Sequence, residues 1–233
     1  MGKVYGPERI LRDRQPGNVR PFESLYRKYD AWYDEEPGRS LFIIESRAVK
    51  ESLLFPPEKA LEIGVGSGRF AERLSIRFGV DPAVHPLRLA LRRGVRCVSG
   101  RGERLPFRSG MFDTCLLMVT LCFVEDPVSV LQEAARVLQQ GGQVILGMVL
   151  EESPWGKIYR ALGEKGHPFY SLARFYTRDE ILRWLEETGF SSVEIVSALF
   201  QPHGKPSYHP EEPKRGYDPA AGFTVFRALK PGT

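Results

Sequence analysis

A chain of 233 residues, 42% hydrophobic and with a formal net charge of +4, has the size for one large domain that buries roughly 70–75% of its unfolded surface. Its longest apolar stretch, Cys115 to Val124, is interrupted by Thr120 and falls far below the ~20 residues of a membrane span. The N-terminus is charged throughout, without the apolar middle of a secretion signal, so a cytoplasmic protein with no membrane partner is expected. A charge this modest lacks the concentrated basic face of a nucleic-acid binder. Cys97, Cys115 and Cys122 have no ligand spacing, which argues for reduced, buried thiols, no disulfide framework and no metal site.

In chain order, residues 1–20 read as a flexible arm and 21–55 as one or two helices broken near Pro37-Gly38. Together, 1–55 form an N-terminal arm and helical cap, and 56–233 form the main domain. KALEI (59–63) reads as a buried strand, followed by a glycine loop, a helix from about Gly68 to Phe78, and a short strand ending at Asp81. A helix over 86–93 stops at Gly94, a good C-terminal cap. Strands follow at 95–99 and 112–120. Asp126-Pro127 then opens a helix with an N-cap and a first-turn proline, reaching Gly141-Gly142.

QVILGMVL (143–150) is a further strand. Residues 151–176 make an aromatic, lid-like insertion, helical from Trp155 to Leu162. Thr177 with Glu180 forms a capping box for a helix ending at Gly189. Strands at 191–199 and 222–229 close the chain. Alternating strands and helices predict an α/β fold: a Rossmann-like, doubly wound, mostly parallel seven-stranded sheet with an antiparallel C-terminal strand.

In such a sheet, ligands bind beyond the carboxyl ends of the strands, where the strand order reverses. The loop after the first strand reads Glu62-Ile63-Gly64-Val65-Gly66-Ser67-Gly68-Arg69. Alternate glycines allow a sharp turn and close approach of a ligand to the backbone, although a tight turn alone would look the same. Asp81, at the end of the second strand, can accept two hydrogen bonds from a ribose diol; equally, Asp-Pro is a common turn. Dinucleotide sites also carry such an acid, but their G-x-G-x-x-G register would need glycine where Arg69 stands.

These segments, with GRGERLPF (100–107), FDTCLLMVTLCFVEDP (112–127) and LQEAARVLQQGGQVILG (131–147), resemble the class I S-adenosylmethionine-dependent methyltransferases. More narrowly, the sequence is similar to the small-molecule branch described with ubiquinone- and menaquinone-biosynthesis enzymes. The resemblance covers about residues 25–230. It implies S-adenosylmethionine as cofactor and S-adenosylhomocysteine as product. It also implies that Glu62, Gly64, Val65, Gly66 and Gly68 surround the methionine part, and that Asp81 holds the ribose with Pro82 near the adenine. Met118 and Val119 would lie beneath the sulfonium. Where similar proteins read Gly-Asp-Ala-Glu, this chain reads Gly100-Arg101-Gly102-Glu103. Arginine cannot accept from the adenine amino group, which leaves Gly102, Glu103 or water to read it.

The implied activity is in-line methyl transfer to a small molecule, in which positioning does most of the work and a general base is optional. The transferred methyl would emerge near Val119 and Thr120. Tyr29 and Tyr33, on one helical face by spacing, and Tyr170 and Tyr176 of the insertion are candidate acceptor contacts. His167 is a candidate base, although loop histidines are usually only surface residues. A cofactor-binding regulator without turnover, or an RNA or protein methyltransferase, are the alternatives. The chain carries neither the Asn/Asp-Pro-Pro-Tyr tetrapeptide nor the Pro-Cys pair of nucleic-acid enzymes.

Overall fold

A computed structural model describes residues 19–232, so the arm expected over 1–20 lies almost wholly outside the described residues. Among the described residues there are eight strands: β1 (Ala60–Ile63), β2 (Phe78–Asp81), β3 (Arg96–Ser99), β4 (Phe112–Met118), β5 (Leu138–Met148), β6 (Ser191–Ala198), β7 (Lys214–Arg215) and β8 (Phe223–Leu229). They form one sheet in the order β3-β2-β1-β4-β5-β8-β6-β7. β1 to β5 pair in parallel, and β8 runs antiparallel between β5 and β6. The fold is thus the Rossmann-like sheet expected, with eight strands instead of seven. The additional one, β7, has two residues, paired to Val196 and Ser197, and is too short for any alternation to show in sequence.

The described helices are α1 (Arg20–Trp32), α2 (Gly38–Ser52), α3 (Arg69–Arg73), α4 (Val84–Arg92), α5 (Pro127–Val137), α6 (Pro154–Glu164) and α7 (Arg178–Glu187). Two differ from expectation. The helix expected to reach Phe78 ends at Arg73, because Ser75 turns left-handed (φ 59°) and Ile76 N–H donates to Ala71 O at 2.7 Å, freeing the chain to enter β2. The helix expected to reach Gly141 ends at Val137, where Leu138 is taken into the sheet opposite Phe112. The caps follow the sequence: Asp126 accepts from Ser129 N–H at 3.1 Å, and Thr177 and Glu180 form the reciprocal box.

Successive residues of β4 alternate between the two sheet faces. Leu116 and Met118 join α2, α3 and α4 in one core, while Cys115 and Leu117 join α5 and α7 in the other. Leu41, Ile44, Ala48 and Val49 of α2 are buried in the first core, so α2 belongs to the packing of the sheet. α1 lies instead across the carboxyl end of the strands, against α4.

Candidate cofactor and acceptor site

Three strand ends converge at the β1–α3 loop. Gly64 N–H and Val65 N–H both donate to Val80 O, at 2.8 and 3.1 Å, folding the loop back over β2. Gly64 is left-handed (φ 78°), and a Cβ there would lie 2.4 Å from the Thr120 side chain, so only glycine fits. Gly68 has a different task. A Cβ on it would meet Ala90 Cα at 2.9 Å, so it lets α3 pack on α4, and it lines no part of the cleft described next. Val119 is left-handed as well (φ 50°), a conformation costing about 1–3 kcal/mol for a β-branched residue. Its N–H bond to Gly147 O (2.8 Å) holds the turn that sets Thr120 against Gly64.

Above this floor is a cleft of about 1000 Å³, counting its mouth. Glu62, Gly64, Val65, Gly66, Asp81, Pro82, Met118, Val119 and Thr120 line the sheet side, and Val19, Phe22, Tyr26, Tyr29 and Tyr33 line the roof. A smaller hollow of about 420 Å³ is lined by Gly100, Arg101, Gly102 and Glu103. It shares Gly64, Pro82, Thr120 and Phe123 with the first, so the two are continuous.

Two carboxylates define the chemistry of the cleft. Asp81 Oδ2 accepts from Gly66 N–H at 2.9 Å and Oδ1 from Ala83 N–H at 2.8 Å, which leaves each oxygen a further lone pair. Burial pushes this carboxyl up to about 6, against the pull of the two backbone bonds. Glu62 is 2% exposed and its Oε2 has no hydrogen-bond partner. Burial holds its carboxyl well above the usual range, and the charge of Asp81 adds to the shift. An orphaned buried acceptor is costly unless a ligand supplies a donor. A ligand with a cationic amine and a vicinal diol fits these two acceptors, and Gly66, left-handed with open space where a Cβ would stand, leaves the loop between them unobstructed. In the smaller hollow, Arg101 is turned toward Glu103 (3.3 Å) and Glu125 (2.8 Å).

What fixes the roof has no local signature in the sequence. Glu23 accepts from Val84 N–H (2.7 Å) and His85 N–H (2.9 Å) at the start of α4, and Tyr26 stacks on His85. At the other end of α1, Arg69 donates to Asp30 (2.9 Å) and Asp34 (2.6 Å), while Arg93 bridges Asp30 (3.0 Å) and Ser67 O (2.7 Å). The partners lie 26 to 63 residues apart, beyond any motif.

Of the acceptor candidates, Tyr29 and Tyr33 face the cleft with Thr120, their hydroxyls 3.1 Å apart. Tyr170 stands behind the roof, stacked on Tyr159 and His167 at 4.2 Å each. Tyr176 is away from the cleft, edge-on to Trp184 (4.8 Å) in the opposite core. His167 lines neither hollow, and its Nδ1 faces the N–H groups of Phe169 and Tyr170 at 3.4 Å. The insertion reaches the roof through Phe169, which packs on Phe22 (5.0 Å) and Tyr29 (5.2 Å). Burial pushes the Cys122 thiol up to about 12, and it bonds to Val119 O at 3.3 Å.

Among the described residues, no helix is long and apolar enough to cross a membrane, and no group of three or more His, Cys, Asp or Glu could hold a metal ion. Residues 61–146 match the methyltransferase domain family. An uncharacterised protein of Mycobacterium tuberculosis is 39% identical over 201 residues, 86% of this chain and 70% of the relative. A crystal structure of an S-adenosylmethionine-dependent methyltransferase and possible histamine N-methyltransferase from Thermotoga maritima is 37% identical. It covers 91% of this chain and 99% of its own, with a TM-score of 0.83. A ubiquinone biosynthesis O-methyltransferase of Dechloromonas aromatica is more distant, 25% identical over 77% of this chain and 84% of its own. The chain belongs to the S-adenosylmethionine-dependent methyltransferases, and its cofactor is S-adenosylmethionine.

Proposed function

We propose that this methyltransferase acts on a small-molecule acceptor held between α1 and the carboxyl edge of the sheet, over a cofactor seated in the glycine-loop cleft. The observation that carries the reading is the roof: Tyr29 and Tyr33 face Met118, Val119 and Thr120 across the same cleft that holds Glu62 and Asp81. In this reading Glu62 accepts from the amino group of the methionine part and Asp81 from the ribose hydroxyls. Gly64, Val65 and Gly66 pass alongside the chain between them. Pro82 packs near the adenine, which enters the smaller hollow beside Gly102 and Glu103. Met118 and Val119 lie beneath the sulfur.

When bound, the cofactor supplies a methyl already activated by its positively charged sulfur. The chain's own task is to orient the acceptor and exclude water, and positioning of this kind can supply about 7–11 kcal/mol. Tyr29 and Tyr33 do this as neutral groups, because burial pushes both phenols well above their ordinary value. They orient by hydrogen bonds and ring faces and do not act as bases.

The test is a transfer screen with tritiated methyl donor against fractions of small metabolites, tRNA and total protein. Label in the small-metabolite fraction supports the reading. Efficient labelling of RNA or protein, or no label in any fraction, contradicts it.

A further inference from the structure

α1 is fastened at its two ends by different means. It ends at Trp32, and residues 33–37 lead straight into α2, whose Leu41, Ile44, Ala48 and Val49 are buried in the core. That end is tied by the chain itself and by Arg69 and Arg93, whose side chains are 14% and 17% exposed. The other end hangs on one carboxylate. Glu23 Oε1 accepts from Val84 N–H at 2.7 Å, and its Oε2 faces both the N–H and the ring Nδ1 of His85, at 2.9 and 2.6 Å. Tyr26 lays its ring on the same imidazole, with the two planes 17° apart. Asp30 is the one buried residue of α1, so little apolar burial adds to these bonds.

The turn that Glu23 grips is the turn that carries Asp81. Three consecutive N–H groups at the start of α4 go to two carboxylates: Ala83 donates to Asp81 Oδ1, and Val84 and His85 donate to Glu23. α4 has no side-chain cap at its own N-cap residue, so Glu23 supplies the anionic partner that a helix start favours. The roof residues on either side of Glu23, Val19, Phe22 and Tyr26, line the cleft together with Asp81, Pro82 and Ala83. Turning α1 outward about residues 33–37 therefore breaks all the Glu23 bonds at once and uncovers Asp81, while α2 stays in the core.

We infer that Glu23 is a positioning residue that latches the nucleoside half of the roof to the Asp81 turn and sets the rate at which cofactor and product leave. This rests on the reading of the cleft as the cofactor site. Product leaves as α1 lifts at the Glu23 end, and Tyr29 and Tyr33, nearer the anchored end, move least. Motions of this kind set the pace of many enzymes whose chemistry is fast.

The measurement is surface plasmon resonance of S-adenosylhomocysteine on the immobilised full chain, which separates association from dissociation. Glu23→Gln, which keeps the size and removes the charge, should raise the dissociation rate roughly ten- to a hundredfold without slowing association. His85→Ala removes the ring but keeps both backbone bonds to Glu23, and should raise the dissociation rate by a smaller factor. Asp30→Asn, at the anchored end, should raise it less than Glu23→Gln does. Four results would overturn the inference. They are an unchanged dissociation rate in Glu23→Gln, association slowed in that variant as far as dissociation is quickened, an equal rise in Asp30→Asn, or, should Glu23→Gln fail to fold, an unchanged dissociation rate in His85→Ala. Failure of the wild type to bind S-adenosylhomocysteine would instead remove the reading beneath it.

Discussion

At the scale of single residues, Asp81 shows how a site is tuned by what surrounds it. Its unfolded value is near 3.8 and its folded value about 6, so its ionised form is disfavoured in the free protein. That cost to stability is fully present above pH 6 and vanishes as pH falls below about 4. In the proposed complex the ribose hydroxyls donate to the ionised form, so binding works the other way. S-adenosylhomocysteine affinity should be level above pH 7 and fall as the pH drops through 6 to 5. Asp81→Asn should flatten that fall, whereas an unchanged pH profile in the variant would assign the titration elsewhere. Asp81 was legible because its strand, its distance from the glycine loop and the following proline all lie in one stretch of sequence. The pinning of α1 was not, since Arg69 and Arg93 reach Asp30 from 39 and 63 residues away and only packing brings them together. Gly68 was read as a ligand contact because spacing alone cannot separate a glycine facing a ligand from one facing a helix.

At the scale of elements, α1 is held by charge. Burial would raise the Asp30 carboxyl, but hydrogen bonds from Arg69 and Arg93 hold it down at about 2. A value below the unfolded one adds stability that is present above about pH 4 and lost as pH falls toward 2. Asp30→Asn should therefore lower stability by about 1.5–3 kcal/mol at pH 7, measured by urea unfolding, with the gap narrowing near pH 3. The same variant should weaken S-adenosylhomocysteine binding, because the roof over the cleft is no longer pinned. A gap equally wide at both pH values would show that the ion pairs are not what holds the helix. Elements with local signatures were readable: the capping box of α7, the proline-led start of α5, the apolar runs of β1 and β4. α3 and β7 were not. One is ended by a left-handed serine, the other exists only through its pairing with β6.

At the scale of the whole molecule, the fold class and the cofactor class follow from motifs that occur in sequence order. The roof of the cleft is α1, and the residues that pin it lie 26 to 63 positions away from their partners and carry no shared motif. This is why the fold and the cofactor were readable from the chain alone, while the pinning of the aromatic roof needed coordinates. The central claim is that this cleft, through Asp81 and Glu62, holds S-adenosylmethionine. Calorimetric titration of S-adenosylhomocysteine into the wild type and into Asp81→Ala tests it most directly. One site per chain is expected, weakened roughly ten- to a hundredfold in the variant. No binding to the wild type, or equal affinity in the two proteins, would contradict it.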